Sequence, residues 1–118
     1  MSLLVLCAAA AAGGMGAALR YLVDTAVSRW VVSRWPWGVL VINVTGSFLL
    51  GLIAGAVPEA LFIVGVGFLG GYTTFSTAMV DTVVLWREGE RRAAVGNAVG
   101  MLVLAVAAAA LGLGLARL

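Results

Sequence analysis

Gly70-Gly71-Tyr72-Thr73-Thr74-Phe75-Ser76-Thr77 stands in the middle of an apolar run covering about residues 60–86. Two adjacent glycines weaken a helix. Four hydroxyl side chains, Thr73, Thr74, Ser76 and Thr77, follow within the next two turns. In hydrocarbon, a broken helix leaves amides and carbonyls without partners, which is costly unless the break is buried in protein, lines water or holds an ion. The stretch reads as a discontinuity in a membrane helix and as the functional centre. The competing reading is a packing seam, because small residues let helices approach closely.

The composition places this stretch in a membrane. The chain has 118 residues, 64% of them hydrophobic, and a mean hydropathy of +1.16. Its charges are seven arginines and five acids, 10% of the residues, against about 25% in a soluble domain. Such a chain cannot cover a water-facing surface, so it reads as one integral membrane domain over residues 1–118. The pI near 9.3 comes from arginines at the membrane edges and does not suggest nucleic acid. Cys7 is the only cysteine and there is no histidine. An internal disulfide, a zinc cluster and a histidine-based catalytic site are therefore not expected, and no nucleophile–base pair of an enzyme is visible.

A spanning helix needs about 20 mainly apolar residues. Four segments qualify, at about residues 3–27, 38–57, 60–86 and 93–115. Residues 1–14 resemble the core of a signal peptide but lack a basic leading region, and the apolar pattern continues to Val27. They are read as part of the first span. Pro36 and Pro58 fall at segment boundaries, where proline costs least. Trp30, Trp35, Trp37 and Trp86 lie near predicted ends, as in an interfacial aromatic belt.

Few polar residues remain inside the spans. Arg20 and Asp24 share a face of the first helix, either as a functional intramembrane charge or as a pair near the membrane edge. Asn43 in the second span can bond a neighbouring helix, or donate to an anion through its two N–H groups. Gly51 with Gly55, and Gly96 with Gly100, read as small-residue packing pairs. Asp81 is expected near the interface. Asn97 is the one polar side chain of an otherwise plain fourth helix before Arg117.

The arginines predict orientation. Arg29, Arg34, Arg87, Arg91 and Arg92 fall in the first and third loops, while Arg117 alone lies on the opposite side. The positive-inside rule then puts both loops in the cytoplasm and both termini outside.

These residues resemble the Fluc/CrcB fluoride channels, over essentially the whole chain. The matching pieces are Gly16-Ala17-Ala18-Leu19-Arg20-Tyr21, then Pro36-Trp37-Gly38 with Asn43, Gly46 and Ser47, and the stretch Gly70–Thr77. The resemblance implies a fluoride-specific channel that lets fluoride leave the cytoplasm across the cell membrane. It implies an antiparallel, dual-topology-type dimer with the third helix broken at its middle and two narrow pores along the subunit interface. A structural sodium ion at the dimer centre would be held by the backbone carbonyls of Gly70 and Thr73, as suits a hard cation beside a broken helix. Asn43, Phe75, Ser76 and Thr77 would line a pore, Phe75 through the positive edge of its ring. Arg20 matches an arginine of the family's first helix, in a structural or electrostatic role.

The match departs at three places. Ala78 stands where the family usually has a second Phe, and Val39 where it often has Thr. The fourth helix lacks the usual hydroxyl track. Together with the arginine bias, which favours one orientation, these departures point to a heterodimer with an oppositely oriented relative rather than a homodimer. Two other readings compete. A small multidrug transporter would have a similar helix count, but needs an embedded Glu in the first helix that is not there. A non-conducting structural subunit would not require the glycine–threonine stretch.

Overall fold

The computed structural model describes residues 2–33 and 35–118, so Arg34, one of the five loop arginines, lies outside the described residues. The described chain is built of helices joined by short non-helical connections. Four helical stretches are long and apolar enough to cross a membrane: Leu3–Trp30, Trp37–Ala56, Pro58–Arg87 and Arg91–Ala116. Helix α1 covers Leu3–Trp30. The Ser2 side chain accepts from the Val5 N–H at 3.2 Å and caps it. Helix α2 covers Trp37–Ala56, entered through Pro36.

The third span is built in pieces. A short turn, Pro58–Ala60, leads into a π-helical stretch, Leu61–Leu69. There the Gly70 N–H reaches back five residues to the Gly65 carbonyl. One α-turn follows, α3 (Gly70–Tyr72), and then Thr73 is extended (φ −81°, ψ 160°). Helix α4 resumes at Ser76 and runs to Arg87. The interruption is confined to a few residues, and the span bends by 23° rather than separating into two half-helices. After a turn at Gly89 (φ 83°), a conformation that favours glycine, α5 runs from Arg91 to Ala116.

Close backbone crossings hold the spans together. A Cβ on Gly71 would fall 2.0 Å from the Gly13 carbonyl oxygen, and one on Gly16 would fall 2.0 Å from that of Phe68. A Cβ on Gly67 would lie 2.8 Å from the Ala9 carbonyl oxygen. The first and third spans therefore meet backbone to backbone through small residues. Gly71 belongs to this packing seam, whereas Gly70 is exposed and a Cβ there would come within 4 Å of no other span.

Helices α2 and α5 form the other seam. A Cβ on Gly51 would lie 2.1 Å from the Ala109 carbonyl oxygen, and one on Gly112 would lie 2.2 Å from that of Phe48. The pair Gly96–Gly100 does not form this seam. A Cβ on Gly96 would lie 3.3 Å from the Trp35 ring, and Gly100 faces open space. The two ends of α5 thus separate the roles of its glycines. Gly112→Ala should lower the thermal stability of the purified protein by about 1–3 kcal/mol through overpacking. Gly114→Ala, with nothing near its Cβ position, should be neutral or gain up to about 1 kcal/mol of helix propensity.

The second and third spans are the central ones. In each, 28% of the apolar window is buried, against 6% and 11% in the first and fourth, whose outer faces are left for lipid. Trp30, Trp37 and Trp86 are exposed, as in an interfacial belt. Trp35 departs from that reading: it turns inward against Gly96, with its ring centroid 6.2 Å from that of Trp37. This contact brings the first loop to the start of α5, so the first and third loops share one end of the molecule. There Arg91 stacks over Trp86 at 4.8 Å.

Candidate functional site

The extended segment after α3 is held from α2. Asn43 Nδ2 donates to the Thr74 carbonyl at 2.8 Å, and Asn43 Oδ1 accepts from the Thr74 N–H at 2.8 Å. The two bonds replace those that Thr74 would have made inside a continuous helix. They also fix which end of the amide is which, because a backbone N–H can only donate and a carbonyl can only accept. Both residues are buried, at 8% exposure each. In an apolar interior, such a clasp is the difference between a tolerated interruption and an unsatisfied one.

Thr74 then restarts the helix. Its Oγ1 accepts from the Thr77 N–H at 3.2 Å, which satisfies an amide of the first turn of α4, and it donates to Thr77 Oγ1 at 3.0 Å. Thr73 Oγ1 closes back onto the Leu69 carbonyl at 2.9 Å. Tyr72 is buried beside Gly46, and its hydroxyl lies 2.9 Å from Thr45 Oγ1. Two side chains of α2, Asn43 and Thr45, thus fasten the segment on both sides of its extended residue.

Five of the expected site residues, Asn43, Thr73, Phe75, Arg20 and Thr77, divide between two grooves that share Thr74, and Gly70 lines neither. The first, of about 420 Å³, is walled by Asn43, Ser47, Thr73 and Thr74 on one side and by Ala98, Met101 and Leu102 of α5 on the other. Phe75 stands at its edge, 78% exposed. The second, of about 330 Å³, brings Arg20 and Asp24 of α1 to Thr74 and Thr77. Ser76 is exposed and lines neither groove, its Oγ lying 3.5 Å from Thr74 Oγ1. Arg20 and Asp24 share a groove but form no ion pair among the described residues; the Asp24 carboxylate turns to Gly38 instead. Gly70 is exposed and Thr73 half-buried, so this side of the third span faces away from the other three. Among the described residues, no turn or cap hydrogen bond ends on the carbonyl oxygens of Gly70 or Thr73.

Two features were not visible from the residues alone. The second N–H of Asn43 is not free: Nδ2 also donates to Met101 Sδ at 3.2 Å. Met101, Val39 and Ala78 form one buried cluster, so the departures at positions 39 and 78 and the apolar fourth helix meet at a single place. Four residues before Met101, Asn97 is fully buried. Its Nδ2 donates to the Ala78 carbonyl at 3.2 Å and to Thr82 Oγ1 at 2.9 Å. Asn97 therefore ties α5 to α4 and takes no part in either groove.

The family model described as CrcB-like protein, Camphor Resistance (CrcB), matches residues 7–113. The chain belongs to the CrcB family. A relative named fluoride-specific ion channel FluC 1 from Leifsonia xyli subsp. xyli is 46% identical over 100% of this chain and 90% of its own length. A fluoride-specific ion channel FluC from Nitrobacter winogradskyi is 43% identical over 93% of each. A FluC 2 from Mycobacterium bovis is 44% identical over 90% of this chain and 86% of its own length. These CrcB relatives are named as ion channels, and the family is not one of enzymes.

Proposed function

We propose that this chain is a subunit of a fluoride channel that lets fluoride leave the cytoplasm. The observation that carries the reading is the Asn43–Thr74 clasp. It holds an amide donor at a fixed angle on the wall of a membrane groove, beside the exposed ring of Phe75. Fluoride is small and tightly hydrated, so a pore must replace its water with donors and positive ring edges without binding it too tightly to leave. The names of the CrcB relatives support fluoride as the ion.

Phe75 and Gly70 point away from their own chain, which suits a pathway completed by a second, antiparallel subunit. The carbonyls of Gly70 and Thr73 fit a sodium ion in that setting. They are hard oxygens of residues on the outward side of the third span, and no turn or cap hydrogen bond among the described residues ends on them. Two carbonyls from each subunit would enclose the ion, which would act structurally. Arg20 would contribute positive potential to the groove it shares with Thr77.

The loop arginines favour a single orientation, with both termini outside, and so a partner of opposite bias. Isolation of a stable antiparallel homodimer would refute an obligate heterodimer. The function itself is tested by fluoride efflux from liposomes that contain only the purified chain, with chloride as control. Fast, fluoride-selective efflux supports a conducting homodimer. Efflux that appears only after addition of an oppositely biased relative supports the mixed dimer. Silence in both arrangements overturns the channel reading.

A further inference from the structure

Asn43 has two amide protons, and the structure gives them unequal partners. One goes to the Thr74 carbonyl at 2.8 Å, a strong acceptor; the other goes to the thioether of Met101 at 3.2 Å, a weak one. The clasp on Thr74 keeps the amide from rotating, so the second proton is aimed at the groove whatever occupies it. Met101 lines that groove and is only 6% exposed. Its side chain is unbranched and can change rotamer within a core. It packs on Val39 and Ala78, with Leu40 and Met79 around them.

We infer that Met101 is a positioning residue for the anion: its thioether is the resident, exchangeable acceptor for the second N–H of Asn43, and it yields that proton to a fluoride ion in the groove. This rests on the channel reading. The physical logic is a matched exchange. An amide proton left without any acceptor in an apolar interior is costly, so an empty groove lined only by Leu or Ala would hold its donor in an unsatisfied state. A strong acceptor in place of sulfur would satisfy the donor and compete with the ion. A thioether satisfies the donor weakly and gives way to an anion, whose hydrogen bond is the stronger one.

The test is fluoride efflux measured over a range of fluoride concentrations for the wild type, Met101→Leu and Met101→Gln, in the dimer arrangement in which the wild type conducts. Met15→Leu, at an exposed position on α1, serves as control. Leu has nearly the volume of Met and no acceptor, so the half-saturating fluoride concentration should fall about three- to tenfold. Gln brings an amide oxygen to the same place, so the half-saturating concentration should rise by a similar factor. A packing role would change the amount of folded protein and the maximal rate, but would not move half-saturation in opposite directions. A second readout is the side-chain amide signal of Asn43 in protein labelled with 15N-asparagine. Met101→Leu should shift it in fluoride-free buffer, and fluoride should shift it in the wild type. Wild-type flux with both variants within twofold of it, or an Asn43 signal indifferent to fluoride, overturns the inference and leaves the channel reading intact. A wild type that conducts in no arrangement removes both.

Discussion

Asn43→Leu should cut fluoride flux about ten- to hundredfold and also destabilise the fold. The substitution removes both bonds to Thr74, a residue 8% exposed in the middle of the third span. The Thr74 N–H and carbonyl would each be left buried and unpartnered, at about 1–3 kcal/mol apiece. The same change deletes the donor on the groove wall. A hydrogen bond to a charged partner is worth about 1.5–3 kcal/mol, which corresponds to about a ten- to hundredfold loss of rate if it acts in the rate-limiting step. Two measurements separate these effects: thermal unfolding of the purified protein and efflux normalised to folded protein. Asn43→Asp separates them further. A carboxylate can still accept from the Thr74 N–H, but it cannot donate to the Thr74 carbonyl, and it sets a negative charge beside the anion's path. Flux should fall as far as with Leu. Retention of more than half the wild-type flux in either variant would remove Asn43 from the pathway.

Gly71→Ala should be the most disruptive of the single-methyl changes. The new Cβ would lie 2.0 Å from the Gly13 carbonyl oxygen, 2.7 Å from its carbon and 2.9 Å from its Cα. These are backbone atoms, so no side-chain rotation relieves the clash and the first and third spans must move apart. The expected cost is about 3 kcal/mol or more, at the upper end of overpacking, seen as a fall in melting temperature and in the monodisperse fraction. Gly14→Ala, on the open side of α1 with nothing within 4 Å, should be neutral. The neighbouring Gly70→Ala is the informative contrast. Its Cβ would meet only the Gly65 carbonyl of its own span, at 3.9 Å, so the single chain should fold normally. On the proposed reading of the Gly70 carbonyl as a sodium ligand between two subunits, any loss would then appear in assembly or in sodium dependence. Equal stability of Gly71→Ala and the wild type would refute the close crossing of α1 and the third span.

Much of the architecture follows from local properties. Spans expected over about residues 38–57 and 93–115 are found as Trp37–Ala56 and Arg91–Ala116, because length and hydropathy belong to each segment by itself. Membership of the CrcB family was likewise carried by short motifs. The glycine–threonine stretch was visible as a weak point, and it holds both close packing and a short local interruption of the helix. Gly71 packs, while Thr73 to Phe75 leave the helix.

The remainder depended on contacts between segments distant in sequence. The extended residue falls at Thr73, after the glycines and not at them, because the partner that satisfies Thr74 is Asn43, 31 residues upstream. Asn43 was legible as a polar residue in a span, but its clasp and its bond to Met101, 58 residues away, were not. A methionine in a plain apolar helix carries no signal of the groove it faces. Trp35 was assigned to the interface by its position, yet Gly96 makes a hollow that takes its ring inward. The π-helical turns of Leu61–Leu69 have no mark in composition either. Hydrophobicity tells a segment that it belongs in the bilayer, where lipid and protein are equally apolar. Which face meets which neighbour is decided by shape and by the few hydrogen bonds that must be closed, and those are properties of the packed helices together.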